Sequence, residues 1–307
     1  MRSYGMGVSF LLDHLVIAVC DLSQAINDYK RLGFNVILGG RHLHAPTQNA
    51  LVYFSDGVYL ELIEWTAPAL GEKWYERLTK HGEGLVDFAF FPSRISSAIT
   101  QAEAGGVQYR GPIDGSRIKP TGEHVQWQLG WPASDALPFL CGDITPRALR
   151  VPEGNVRVHQ NGASGVVSIA IRVNDLEKAA KDYRVLLGPN YDRAIRDTNS
   201  LETSGLEILS IQLGSAQLHL VSPSANSDSA PAQALRQDLI LKGEGVYCLV
   251  VSGVRDAVSH HDIIKLSHGV PMLFSDTELT LTEQVDNICM LQHKMRLFTL
   301  PAASALS

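Results

Sequence analysis

LLDHLVIAV, residues 11–19, and VYLELIEW, residues 58–65, bracket the stretch that decides the fold of this chain. The first is an apolar run broken by one charged pair, and the second is an apolar run carrying two carboxylates. Between them Leu22, Ala25, Ile26, Tyr29 and Leu32 recur at the spacing of one helix face, Gly33 supplies a stop, and NALVYF (49–54) gives a third apolar run. Alternate side chains of a strand share a face. His14 therefore lies with Val16 and Ala18, Glu61 lies with Tyr59 and Ile63, and Glu64 falls on the opposite face, toward solvent. An imidazole and a carboxylate turned into one curved sheet are ligand types that zinc, iron, nickel and manganese accept. An inward carboxylate between Leu60 and Leu62 is also costly unless it is paired or metal-bound.

The pattern recurs along the chain. DHLVIAVCDLSQAINDY (13–29) and VSIAIRVNDLEKAAKDY (167–183) align without a gap, setting His14 opposite Ser168, Asp21 opposite Asp175 and Tyr29 opposite Tyr183. Weaker copies begin near Gly84 and Gly245, and both open with GEG before an apolar run. Strand patterns are predicted at 124–131, 137–143, 206–213, 216–222, 288–295 and 296–300, with an exposed loop over 226–237 leading to a short helix. Two domains of similar design follow: residues 1–146, a linker over 147–164 rich in Pro, Gly and Asn, and residues 165–307.

Composition narrows the function classes. Apolar content of 45% and charged content of 19% over 307 residues describe an ordinary soluble globular protein. A net charge of −6 with no Lys/Arg cluster argues against a nucleic-acid backbone as partner. Arg2 followed by an apolar run imitates a secretory signal, but Asp13 and His14 interrupt it, and no later run is long enough to span a bilayer. A cytoplasmic protein without a membrane partner is expected. Cys20, Cys141, Cys248 and Cys289 form no CxxC pair, which fits reduced thiols. Phosphate-binding glycine motifs, the GxSxG elbow and HExxH are absent from the sequence.

The residues DHLVIAVCDLSQAINDYKRLGF, GGRH, TQNALVYF and DGVYLELIEW resemble the glyoxalase-like branch of the vicinal oxygen chelate superfamily. The resemblance implies an α+β fold of four βαβββ modules, paired into two cupped mixed β-sheets of about eight strands each, with helices packed outside. It also implies one metal ligand on the first strand of a module and another on the last, which are His14 and Glu61 here. Repeat symmetry sets Asp87 opposite His14 in the second module. The last-strand slot reads FLCGD, offering Cys141 or Asp143, with His124 on a neighbouring strand as a substitute. In the second half the corresponding positions are Ser168, His219, Val246 or Cys248, and Arg296, which make no conventional metal site. That half is expected to be structural, dimer-forming or a lid. In GGRHLHAPTQNAL (39–51), paired glycines permit close backbone approach, and Arg41, His42 and Asn49 are candidate substrate contacts.

The resemblance implies a lyase or isomerase dependent on a divalent ion (Zn, Ni, Mn or Fe), acting on a small oxygenated metabolite through an enolate-like intermediate, with Glu61 and His14 as catalytic residues; a ring-cleaving dioxygenase is the other enzyme class it allows, and the ligand set does not choose between them. Two other readings stay open: a metal-free protein that sequesters a small molecule, and a metal-independent catalyst in which Glu61 is a buried base tuned by His14.

Overall fold

The computed structural model describes residues 8–193, 195–197, 204–253 and 260–275. Its first half opens with strand β1 (Phe10–Ala18), helix α1 (Leu22–Arg31) and strands β2 (Ile37–His42), β3 (Thr47–Tyr53) and β4 (Tyr59–Trp65). Helix α2 (Lys73–His81) then leads to a second unit of β5 (Gly84–Pro92), α3 (Ile95–Ala104), β6 (Tyr109–Ile118), β7 (His124–Pro132) and β8 (Phe139–Asp143). Asp21 caps α1 by accepting the Gln24 N–H at 2.9 Å, and Gly33 leaves the helix at φ +87°.

These eight strands form the expected cupped sheet, curled into a closed barrel in the order β1-β4-β3-β2-β6-β7-β8-β5. Closure rests on a short seam between β2 and β6, in which Arg41 pairs with Ile118 and His42 with Arg117. A Cβ on Gly40, at φ +125°, would stand 1.9 Å from the Ile118 carbonyl oxygen, so only glycine lets the two strands meet. The barrel lumen is lined by Val16, Ala18, Ile63, Ala89, Val125, Trp127, Phe139 and Cys141.

A short helix α4 (Arg147–Arg150) and a 3-10 turn (Gly154–Arg157) lead into β9 (Gly165–Arg172) and α5 (Leu176–Leu187), which Asp175 caps as Asp21 caps α1. After a 3-10 turn (Gly188–Arg193) come β10 (Ile195–Asp197), β11 (Leu206–Leu213), β12 (Ala216–Pro223), α6 (Ala230–Lys242), β13 (Gly245–Ser252), α7 (His260–Leu266) and β14 (Met272–Ser275). Among the described residues the second sheet has six strands in the order β10-β11-β12-β9-β13-β14. The strands predicted over 288–300, with Cys289 and Arg296, lie outside the described residues. The loop expected over 226–237 is largely helix: α6 runs for 13 residues from a Ser229 cap with proline in its first turn. Ala232, Leu235 and Leu239 of α6 pack on Ala170, Ile208, Val221 and Cys248, so the sheet face equivalent to the barrel lumen is filled by a helix.

The outer faces of both sheets and apolar residues of α1, α3, α5 and α7 join in one continuous core. The aligned tyrosines stitch the halves reciprocally, the Tyr29 hydroxyl donating to the Ser267 carbonyl and the Tyr183 hydroxyl to the Ala136 carbonyl. Both GEG turns end a helix, with Gly82 N–H bonded to Leu78 O and Gly243 N–H to Leu239 O. Among the described residues no helix is long and apolar enough to cross a membrane.

Candidate active site

A slip in register between Leu12 and His14 inserts one extra residue into β1 opposite β5. Leu12 and Leu15 both join the outer core, and Asp13 and His14 turn inward together. Strand alternation alone would have sent Asp13 outward, and the bulge is what builds the site. The Asp13 carboxylate accepts from His14 Nδ1 at 2.7 Å, from Arg150 Nη1 and Nη2 at 2.6 and 3.1 Å, and from Arg147 Nη1 at 2.9 Å. Both arginines come from α4, inside the segment read from sequence as a linker. Asp13 is fully buried, which alone would raise its pKa, but Arg150 and the His14 hydrogen bond outweigh burial and hold the carboxyl well below the usual range. An ionised acceptor requires a proton on His14 Nδ1, so Nε2 is the ring nitrogen turned to the cavity.

That nitrogen faces Glu61, 3.6 Å from Oε2. The ring is clamped by Tyr59, stacked at 4.5 Å between centroids, and by the edge of Phe139 at 5.2 Å. Glu61 projects inward from β4 beside Tyr59 and Ile63, and its Oε1 accepts from Asn49 Nδ2 at 2.6 Å. His42 Nε2 stands 3.7 Å from the same oxygen, and His42 Nδ1 contacts the Thr47 hydroxyl at 2.9 Å. Burial pushes the His42 pKa down against the opposing pull of Glu61. Glu64, expected toward solvent, is partly buried on the opposite face and bonds Gln48.

These groups stand in a cavity of about 280 Å³ inside the barrel. All four tryptophans of the protein, Trp65, Trp74, Trp127 and Trp131, line it. Trp131 stacks on Phe139 at 5.0 Å and Trp74 meets Trp131 edge-on at 5.3 Å. Arg117, only 3% exposed, also reaches the cavity. It shares the inward face with Val125 and Trp127, and its Nη1 donates to the Gly39 carbonyl.

Of the residues singled out from sequence, His14, Glu61, His42 and Asn49 meet around one carboxylate, and Arg41, His124 and Asp87 do not join them. Arg41 is exposed on β2 and His124 is exposed at the start of β7. Asp87 is buried at the position related to His14 by the barrel's internal symmetry, since Val16 pairs with Asp87 as His14 pairs with Ala89. Its carboxylate is occupied by Lys73 Nζ and Trp74 Nε1, both at 2.9 Å, so the second-module counterpart of His14 braces a cavity wall. Sequence reasoning missed Asp13, Arg117, Arg147 and Arg150. The tryptophans were partly legible, because Trp127, Leu129 and Trp131 alternate along one strand face.

The profile of a family described as a glyoxalase-like domain matches residues 12–187, more than half of the chain. The chain belongs to this glyoxalase-like family. A hypothetical protein from Staphylococcus aureus superposes with a TM-score of 0.63 at 12% identity, covering 87% of this chain and 99% of that one. A triple mutant of 4-hydroxymandelate synthase from Streptomyces coelicolor superposes with a TM-score of 0.53 at 14% identity, covering 93% of this chain and 84% of that one. At these identities the likeness is one of fold. A comparison with curated proteins gives no match.

The family implies a divalent ion, and the donors do not fit the implied set. His14 and Glu61 meet, but the next position is held by the Lys73–Asp87 ion pair. Among the described residues no group of three or more His, Cys, Asp or Glu is arranged to hold a metal.

Proposed function

We propose that this protein is a lyase or isomerase that moves a proton on a small oxygenated metabolite, with Glu61 and His14 forming the proton-transfer pair. The observation that carries this reading is the buried chain Arg150–Asp13–His14–Glu61. Asp13, held ionised, fixes the His14 tautomer and stabilises the imidazolium that forms when Nε2 takes a proton. Asn49 pins one oxygen of Glu61 and leaves the other facing His14 and the cavity. A carbon acid held against the tryptophans would lose its proton to Glu61 Oε2 and become an enolate-like anion. His14 would share that proton and return it to the same or the neighbouring atom. No step is assigned to a divalent ion, because the donors of the second module are engaged elsewhere.

The test is wash-in of solvent deuterium at carbons next to a carbonyl, followed by NMR over a panel of small hydroxy and keto compounds, with chelator present and with added Zn, Ni, Mn or Fe(II). Exchange should persist under chelation and fall about 100-fold or more in Glu61→Gln, the loss typical of a missing general base. Exchange that appears only with metal, or that survives Glu61→Gln, would overturn the proposal. So would a stoichiometric divalent ion co-purifying with untagged protein and needed for exchange.

A further inference from the structure

The charge inventory of the cavity is uneven. Three carboxylates line it, and each has partners. Glu61 is bonded by Asn49, Glu72 accepts the Trp74 and Tyr75 backbone N–H groups at 3.0 and 2.8 Å as the cap of α2, and Asp114 accepts from Gln128 at 3.1 Å. Of the two guanidiniums, Arg150 is neutralised by Asp13 and Asp143. Arg117 is as deeply buried as Arg150, yet among the described residues it forms no ion pair, and its guanidinium donates to a neutral group, the Gly39 carbonyl. A buried guanidinium without a counter-ion is costly, and proteins retain one where an anion arrives to pair with it.

A second, independent observation lies beside it. Asn49 is 2% exposed and lines the same cavity, and its Oδ1 has no hydrogen-bond partner while its Nδ2 is spent on Glu61. Both groups crowd Gly39: a Cβ there would stand 2.0 Å from Asn49 Oδ1 and 3.0 Å from Arg117 Nη1. The bare backbone at Gly39 thus lets an unsatisfied acceptor and an unpaired cation sit together at the wall that carries Glu61. The remaining wall is aromatic, and 280 Å³ is at the small end of metabolite-sized sites.

We propose that the substrate is a small carboxylic acid with a flat, apolar or aromatic body. Its carboxylate pairs with Arg117, and its body lies among Trp65, Trp74, Trp127 and Trp131. This rests on the cavity being the active site, as argued for Glu61, and it names the class of molecule that site takes. The anchored carboxylate sets a neighbouring C–H toward Glu61, so Arg117 is a binding and positioning residue and not the proton acceptor.

Because every tryptophan lines the cavity, intrinsic fluorescence reports its occupancy. Titrating the full chain with phenylacetate, its neutral isostere phenylacetamide and the cation phenethylammonium should give about 10- to 100-fold tighter binding of phenylacetate, as for a charge-assisted hydrogen bond in a buried site. That preference should weaken with Arg117→Lys and vanish with Arg117→Met, and it should survive Glu61→Gln, which removes deuterium exchange instead. The wild-type comparison needs no variant to fold. Equal binding of phenylacetate and phenylacetamide, preference for phenethylammonium, or absence of quenching by phenylacetate would each overturn the proposal. Loss of exchange in Glu61→Gln beside equal probe binding would sink the substrate class while leaving the proton-transfer pair standing.

Discussion

Replacing Arg150 by methionine isolates the buried ion pair that orients the site. Arg150 is 3% exposed and Asp13 is fully buried, and the change removes hydrogen bonds of 2.6 and 3.1 Å to Asp13, one of 2.8 Å to the Tyr59 hydroxyl and one of 2.5 Å to Asp143, which keeps Arg147 as a partner. Removing one partner of a buried pair costs about 3–5 kcal/mol because the other charge stays buried. Arg147 still reaches Asp13 at 2.9 Å, so the expected loss is near the lower end, about 3 kcal/mol. Urea unfolding, extrapolated to water, measures it. The double variant Asp13→Asn/Arg150→Met should lose less than the sum of the two single changes, because the charge left stranded by either is then absent. The pH dependence gives a second check. In the wild type the folded Asp13 pKa lies below its unfolded value, so the pair's stabilisation is present above that unfolded value and is lost as pH falls through the folded one. Without Arg150, burial dominates and the folded pKa moves upward. The stability gap between variant and wild type should therefore narrow on acidification from about pH 7 toward pH 4. A loss under about 1 kcal/mol, or a gap that does not change with pH, would refute the assignment of Arg150 as the counter-ion of Asp13.

His268 joins the halves by contacting Glu83 at 2.8 Å and Asp28 at 3.3 Å. Burial alone would lower its pKa, but the two carboxylates raise it above 6.5. A raised folded pKa gives stabilisation that is full below the unfolded value and is lost as pH rises through the folded one. Thermal stability should accordingly decline as pH rises from about 6.5 toward 8, and the slope should flatten in His268→Asn, chosen because asparagine tolerates the positive φ of 53° at this position. His14→Ala should abolish deuterium exchange with the fold intact. His219→Ala should leave exchange and phenylacetate binding within about twofold of wild type, costing about 1–3 kcal/mol of stability instead, because His219 is fully buried on the sheet face that α6 covers. Two molecules of phenylacetate bound per chain would show that the second sheet also carries a working site.

The sequence by itself determined the repeat, the βαβββ order of the first module and the inward aim of His14 and Glu61. Each of these is written in local periodicity: alternation along a strand, spacing along a helix face, and the Asp21 and Asp175 caps. Tertiary structure decided what surrounds that pair. The inward turn of Asp13 depends on a bulge that appears only when β1 is registered against β5, and alternation had assigned it the other face. Arg150 reaches Asp13 from 137 residues away, out of a stretch whose Pro and Gly content spells only irregular chain. Closure of the barrel hangs on the β2–β6 seam, a pairing between modules that no local pattern encodes. Asp87 shows the converse: its alignment with His14 was legible, but its chemistry was settled by Lys73 and Trp74 arriving from α2. Where the ladder is regular, periodicity fixes the face a side chain shows, whereas bulges and the partner it meets depend on long-range packing, and for a buried charge the partner decides its function.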